Sequence, residues 1–215
     1  MKMRAILFDL DGTLIDQFEP IHRAFKRTLV SMGFPPPSFS KVKSAVGGAS
    51  HATMTKLIGP DNAEEGVRLL RPIFEEEMFH GLKALPGVIN GLKLLNDHDF
   101  KCAVLTNKHG PHARAACKYL GLDKFITFTL GADDTEWKKP SPKLTQLALK
   151  KIGFTAQETL YVGDSPYDFN TAINAGLKCY LVASGTHSIE DLSLFPGVKV
   201  HDNFISLVSS LIGNP

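Results

Sequence analysis

Five short apolar runs, at residues 4–8, 102–106, 126–130, 159–162 and 179–182, constrain this chain more than any other feature of its sequence. Each is rich in β-branched or aromatic residues and too short for a helix, so each reads as a strand buried on both faces. Between the runs, apolar residues recur at helical spacing: Val88, Leu92 and Leu95; Ala113, Cys117 and Leu120; Leu144, Ala148 and Ile152; then Phe169 and Ile173, with Gly176 as a stop. Strands alternating with helices predict a Rossmann-like α/β fold, a doubly wound and mostly parallel sheet. With 215 residues, 43% of them hydrophobic, the chain can bury such a core, and disordered or disulfide-scaffold classes are excluded.

One stretch breaks the alternation. From residue 16 to 83 no run is strand-like, and two helical stripes dominate: Ile21, Phe25, Leu29, Met32, and Val67, Leu70, Phe74, Met78. Turn residues at 35–37 and Gly47-Gly48 punctuate the region, and Leu85-Pro86-Gly87 marks the return to the main pattern. The expected organisation is a core of residues 1–15 and 84–215 with a helical insertion, residues 16–83, after the first strand.

A formal charge of +2 supplies no strong field for nucleic acid or an anionic membrane surface, so neither is an expected partner. Cys102, Cys117 and Cys179 form no CxxC pair and read as structural thiols in a reducing compartment. The apolar run at residues 5–8 is far short of a signal-peptide core or a spanning helix, so a cytoplasmic location is the expectation.

Ligands of open α/β sheets bind beyond the carboxyl ends of the strands, and the polar residues at those positions form a coherent set. Asp9 and Asp11 follow the first run, Thr106 and Asn107 the second, and Gly163-Asp164-Ser165-Pro166-Tyr167-Asp168 the fourth, while Lys138-Lys139-Pro140 lies between the third and fourth. Carboxylates so close together repel unless a cation offsets them, and hard oxygen donors with room for water suit Mg²⁺. With Lys139 present, such a site favours a phosphate dianion and stabilises charge developing in phosphoryl transfer. A carboxylate can act as nucleophile while a second one, two residues on, serves as acid and then base.

These residues resemble four ordered signatures of the haloacid dehalogenase superfamily: DLDGTL at residues 9–14, Thr106, Lys139-Pro140 and the GDxxxD pattern at residues 163–168. The resemblance covers essentially the whole chain, and it makes residues 16–83 the family's helical cap. It implies that Asp9 is the nucleophile and a Mg²⁺ ligand, and that Asp11 is the acid/base whose backbone carbonyl also reaches the metal. It further implies that Gly12, Thr106 and Asn107 hold the phosphoryl group, that Lys139 neutralises Asp9 and phosphate oxygens, and that at the metal site Asp164 is a ligand of Mg²⁺ while Asp168 supports it from just behind. Founding dehalogenases lack the second aspartate, so Asp11 points to phosphate chemistry. Thr106-Asn107-Lys108 and Lys139-Pro140-Ser141-Pro142 resemble phosphoglycolate phosphatases, which implies a small phosphorylated metabolite as partner and a monomer or homodimer.

The run Phe18-Glu19-Pro20-Ile21-His22 instead resembles β-phosphoglucomutase-like members. A mutase must grip a second phosphate with cationic groups, and the loop Val46-Gly47-Gly48-Ala49-Ser50-His51, whose Gly47, Gly48, Ser50 and His51 are candidates for substrate contact, has no arginine. A phosphoryl-receiver module would fit in about 120 residues with no insertion, and a non-catalytic binding module would not need the intact set. Against these specific readings, Asp168 can be a helix N-terminal acid, Glu75-Glu76-Glu77 a solvated helix face, and His22 a structural hydrogen-bonding residue. Trp137 is expected to pack the lysine loop in place.

Overall fold

The computed structural model describes residues 3–213, so Met1, Lys2, Asn214 and Pro215, at the ends of the expected core, lie outside the described residues. In chain order the first elements are β1 (Ala5–Phe8), β2 (Ile15–Asp16), α1 (Phe18–Ser31), α2 (Phe39–Ala45), α3 (Ser50–Ile58), α4 (Ala63–Glu77) and β3 (Lys83–Ala84). Then follow α5 (Val88–Asp97), β4 (Lys101–Leu105), α6 (Gly110–Tyr119), β5 (Thr129–Leu130), α7 (Pro142–Ile152) and β6 (Thr159–Gly163). The last are α8 (Pro166–Asn174), β7 (Lys178–Val182), α9 (Ile189–Ser193), β8 (Lys199–His201) and α10 (Phe204–Ile212).

Successive residues of the central strands bury on opposite faces, as the period of two along a strand requires. Ile6, Phe8, Val104, Leu160, Val162 and Val182 belong to one apolar cluster, covered by Leu92 of α5, Cys117 of α6 and Phe204 of α10. Ala5, Leu7, Leu105, Tyr161 and Leu181 belong to the other, covered by Ala148 of α7, Ala172 of α8 and Leu192 of α9. The sheet is therefore wound on both sides. Its six strands are all parallel and run β5-β4-β1-β6-β7-β8. Chain order reverses between β1 and β6, and a crevice opens at such a switch point.

The α/β expectation holds, with differences that have physical reasons. β8 was not legible, because Lys199 and His201 flank a single apolar residue, Val200. The third run forms a ladder only at Thr129–Leu130. Ile173 is 53% exposed, and α8 buries Asp168, Thr171 and Ala172 instead. Residues 16–83 hold four helices where two stripes were visible. The additional ones, α2 and α3, are too short to show a periodic face.

The insertion has its own apolar cluster, joining Ile21, Phe25 and Leu29 of α1 to Val42 of α2, Met54 of α3 and Phe74 of α4. It leaves and rejoins the sheet through a two-stranded antiparallel ladder in which Ile15 pairs with Ala84 and Asp16 with Lys83. The ladder straddles both expected boundaries, so Asp16 and Lys83 belong to the connection. Lys83 also pairs with Asp16 through their side chains at 3.3 Å, and Gln17 Nε2 donates to the Met78 carbonyl at 2.6 Å. No helix is long and apolar enough to cross a membrane among the described residues.

The two apolar layers make a prediction about stability. Leu92, fully buried between α5 and the sheet, should cost about 2–5 kcal/mol when replaced by Ala. Leu194, 81% exposed, should cost less than about 0.5 kcal/mol in the same replacement. Urea unfolding of the two variants measures the difference.

Candidate active site

The ladder register brings three polar residues to the same edge of the sheet, within one residue of a common level. Phe8 pairs with Val104 on one side and Val162 on the other, so Asp9, Thr106 and Asp164 emerge together from the carboxyl ends of β1, β4 and β6. The loop between β5 and α7 adds Lys139, which is 4% exposed. Its Nζ lies 2.7 Å from Asp9 Oδ1 and 2.8 Å from Asp168 Oδ1. Asp9, Asp164 and Asp168 are all buried, and one oxygen of each lies within 4.8 Å of the others.

These carboxylates are not equivalent. Asp168 Oδ1 receives Lys139 and the Tyr161 hydroxyl, while Oδ2 accepts from the backbone N–H groups of Asp164 and Ser165 and from the Ser165 hydroxyl. Both oxygens are occupied by donors, and with Ser165 the residue forms the capping box that opens α8. Asp168 therefore anchors Lys139 and the Asp164 backbone, beside the two other carboxylates of the acidic group. Asp164 Oδ2 accepts from the backbone N–H and hydroxyl of Thr186, at 2.9 and 3.2 Å, and Oδ1 has only Thr13 Oγ1 at 3.5 Å. Asp9 Oδ2 has no hydrogen-bond donor among the described residues.

Burial pushes the Asp9 carboxyl up to about 6, with repulsion from Asp168 and Asp11 adding to it and Lys139 opposing it. Asp164 is also raised, first by burial and then by Asp168 and Asp9. Lys139 stays charged: the two carboxylates beside it more than offset its burial. Three carboxylates against one ammonium are an electrostatically unfavourable set without a further cation.

Asp11 stands apart from this set. Its oxygens lie 3.2 and 3.1 Å from Lys108 Nζ, and that ammonium sits 4.9 Å from the centre of the Phe74 ring on α4. Thr106 Oγ1 accepts from the Lys108 backbone N–H, so its own proton is available to donate. The Asn107 side chain is differently employed: it bonds both backbone groups of Lys139 and the Gly47 carbonyl, clamping the lysine loop and the insertion together. Gly12 uses its N–H in a turn, bonding the Ile15 carbonyl. With φ at +88°, a Cβ there would lie 2.7 Å from Asp164 Oδ2. Close packing, more than a donated N–H, is what that glycine supplies.

A cavity of about 160 Å³ opens over Asp9, Asp11, Thr106 and Lys108. Gly47, Gly48, Ser50 and His51 line it from the insertion, as do Ile21, Phe25, Leu70 and Arg71. Gly47 and Gly48 also pack on the Tyr167 ring of α8, where a Cβ at either would approach to 3.1 Å. His109 and His112 close the opposite wall, 4.3 Å apart and tied to Asp133 at 2.8 Å and Glu75 at 3.2 Å. Burial lowers the pKa of both rings, and the two acids partly oppose it.

Comparison with known proteins agrees with this arrangement. A family model described as haloacid dehalogenase-like hydrolase matches residues 6–182. The chain belongs to that family. Among its relatives are the phosphoglycolate phosphatases of Rhodobacter capsulatus and Aquifex aeolicus, each 32% identical. The first comparison covers 92% of both chains, the second 94% of this chain and 99% of the other. The crystal structure of a hydrolase from Pseudomonas syringae superposes with a TM-score of 0.84 at 26% identity, over 100% of this chain and 99% of that one.

Several contacts of this haloacid dehalogenase-like hydrolase escaped the sequence reading. Thr186 and Gly185 follow the fifth run, so the same strand-end rule marks them; a Cβ on Gly185 would lie 1.8 Å from Asp164 Oδ2. Tyr161 sits inside an apolar run, where nothing in the pattern signals a hydroxyl aimed at Asp168. Glu75, Glu76 and Glu77 do not form a merely solvated face, for they pair with His112, Arg27 and Arg23. His22 does make a structural bond, Nε2 lying 3.1 Å from the Pro37 carbonyl. Trp137 packs on the second core cluster with Lys143 over its ring.

The raised Asp164 carboxyl gives a prediction with a definite sign. A folded-state pKa above the unfolded one means that the native state binds the proton more tightly, so stability falls as pH rises from about 4 through the folded value. Asp164→Asn removes that loss while keeping an acceptor for Thr186. In chelator at pH 8 it should raise stability by about 1 kcal/mol, and the gain should shrink at pH 5, as measured by urea unfolding.

Proposed function

We propose that this protein is a Mg²⁺-dependent phosphatase that hydrolyses a small phosphate monoester, of the phosphoglycolate type, through an aspartyl-phosphate on Asp9. The observation that carries the reading is Asp9 itself: a buried carboxylate held by Lys139, two residues before Asp11, at the floor of the cavity beneath the insertion. The relatives described as phosphoglycolate phosphatases support the substrate class. On this reading residues 16–83 act as a cap over a core of residues 1–15 and 84–215. Free buried thiols at Cys102, Cys117 and Cys179 accord with action in the cytoplasm.

The donor set fits a divalent cation. Three carboxylates against one ammonium leave two negative charges, and Asp9 Oδ2 and Asp164 Oδ1 are the oxygens with capacity to spare. Those two, with the Asp11 backbone carbonyl, would hold Mg²⁺, and Asp168 would support them from behind through Lys139 and the Asp164 backbone. The bound cation would supply charge neutralisation to the phosphoryl oxygens.

The protein's own groups then divide the work. The Asp9 carboxylate attacks phosphorus, the ester P–O bond breaks, and Asp11 supplies a proton to the departing oxygen. Asp11 next takes a proton from the water that cleaves the aspartyl-phosphate, releasing inorganic phosphate and restoring Asp9. Lys139 and the Thr106 hydroxyl stabilise the negative charge carried by the transferring group. Asn107 keeps the backbone of Lys139 in register. Closure of the insertion excludes bulk water from the attack.

Phosphate release from an aryl phosphate tests the reading. Turnover should require Mg²⁺, vanish with chelator, and fall about a thousandfold or more in Asp9→Asn; wild-type turnover in that variant would sink the proposal. Metal binding should also compete with protons. Because Asp9 titrates at about 6, added Mg²⁺ should raise Tm more at pH 7.5 than at pH 5, and equal shifts at both would count against Asp9 as a ligand.

A further inference from the structure

The insertion carries four arginines, at positions 23, 27, 68 and 71. Three are tied to glutamates: Arg23 to Glu77, Arg27 to Glu76 and Glu77, and Arg68 to Glu65, at 2.6–2.8 Å. Arg71 has no acidic partner among the described residues. A helical neighbour is within reach, since Glu75 lies four residues on along α4, where such pairs form readily. Glu75 turns instead to His112 on the opposite wall, at 3.2 Å.

Arg71 is on the stripe of α4 that faces the cavity. Val67 and Phe74, four residues before and three after it, share that stripe and line the same space. The rest of the insertion's contribution consists of groups such as Ile21, Phe25, Leu70 and Ser50, so Arg71 is its one formally charged side chain there, setting His51 aside. It stands near His109, whose charged form it disfavours. Of the other charges lining the cavity, Lys108 is matched by Asp11, and Asp133 by His109 and the Gly110 N–H, while Lys138, without an acidic partner among the described residues, comes from the lysine loop and not from the insertion. Arg71, which lines the cavity among largely apolar groups of the insertion and whose helical neighbour Glu75 pairs elsewhere, is arranged to receive an anion.

We propose that Arg71 recognises a carboxylate on the leaving group, so that the site takes monophosphate esters of small hydroxy acids. The inference rests on the phosphatase reading above and specifies its substrate. One unmatched cation on this wall suits a single negative charge, where a second phosphate dianion would need more. The guanidinium fork matches a carboxylate with two parallel hydrogen bonds. About 160 Å³ is below the usual range of about 300–1,000 Å³ for sites that take drug-sized ligands, which favours a two- or three-carbon acid over a larger leaving group.

The test compares 2-phosphoglycolate with 2-hydroxyethyl phosphate, which has the same chain length and a neutral alcohol in place of the carboxylate. The wild-type enzyme should favour phosphoglycolate by at least about tenfold in kcat/KM. Arg71→Gln should bring that ratio close to one, through a higher KM for phosphoglycolate. Arg71→Lys, which keeps the charge without the fork, should give an intermediate ratio and guards against a folding defect in the first variant. A ratio unchanged by either substitution overturns the role of Arg71. Equal use of both esters by the wild-type enzyme overturns the substrate class while leaving the phosphatase reading intact. Failure to release phosphate from either ester or from an aryl phosphate overturns that reading and the inference together.

Discussion

Everything at the switch point depends on one buried ammonium. Lys139 stands between Asp9 and Asp168, 4% exposed, and without it the three carboxylates would share a dry space with no cation at all. Even so, burial wins at Asp9 and Asp164, whose carboxyls are raised despite that neighbour. Such a cluster opposes folding, and the apolar layers on both faces of the sheet must offset it. The arrangement makes sense as a site built for charge it does not itself contain. Groups that repel one another in isolation become favourable partners once a cation and an anion enter between them.

Geometry is kept by backbone register more than by side-chain packing. β1, β4 and β6 are locked as parallel neighbours, so moving one ladder by a residue would send Asp9 or Asp164 to the opposite face. Asp168 then transmits that register to the lysine loop, because it holds Lys139 with one oxygen and two backbone N–H groups of the β6–α8 turn with the other. Gly12 and Gly185, packed together, complete the fit around Asp164 Oδ2, where a methyl group on either would displace the carboxylate.

How much of this was legible follows from what each residue does locally. The runs at β1, β4, β6 and β7 were readable because strands covered on both faces must be apolar throughout. β8, at the sheet edge, pairs with β7 alone and can alternate. The site residues at strand ends were readable by the same logic, which places polar side chains where an apolar run stops. What stayed hidden were roles set by tertiary partners. Nothing local says that Asn107 spends its amide on Lys139 and Gly47, that Lys108 turns to Asp11, or that the two oxygens of Asp168 are filled by five donors. The helix-start reading of Asp168 is realised, and the same carboxylate that opens α8 also anchors the lysine.

The two ends of the cavity answer to different physical constraints. Its floor is made of residues one to three positions beyond β1 and β4, central strands paired on both sides, so changes there are transmitted to the core. Its outer wall comes from α1, α3 and α4, which pack in a cluster of their own and join the sheet through the two-residue ladder of β2 and β3. The contacts that tie that wall to the floor include Asn107 to Gly47, His112 to Glu75 and Lys108 beneath Phe74. A helix face held this way can exchange side chains, or shift slightly, without disturbing the register that positions Asp9. Floor and outer wall therefore sit on separately packed elements, and the outer wall is where side chains can change at least cost to the register of Asp9.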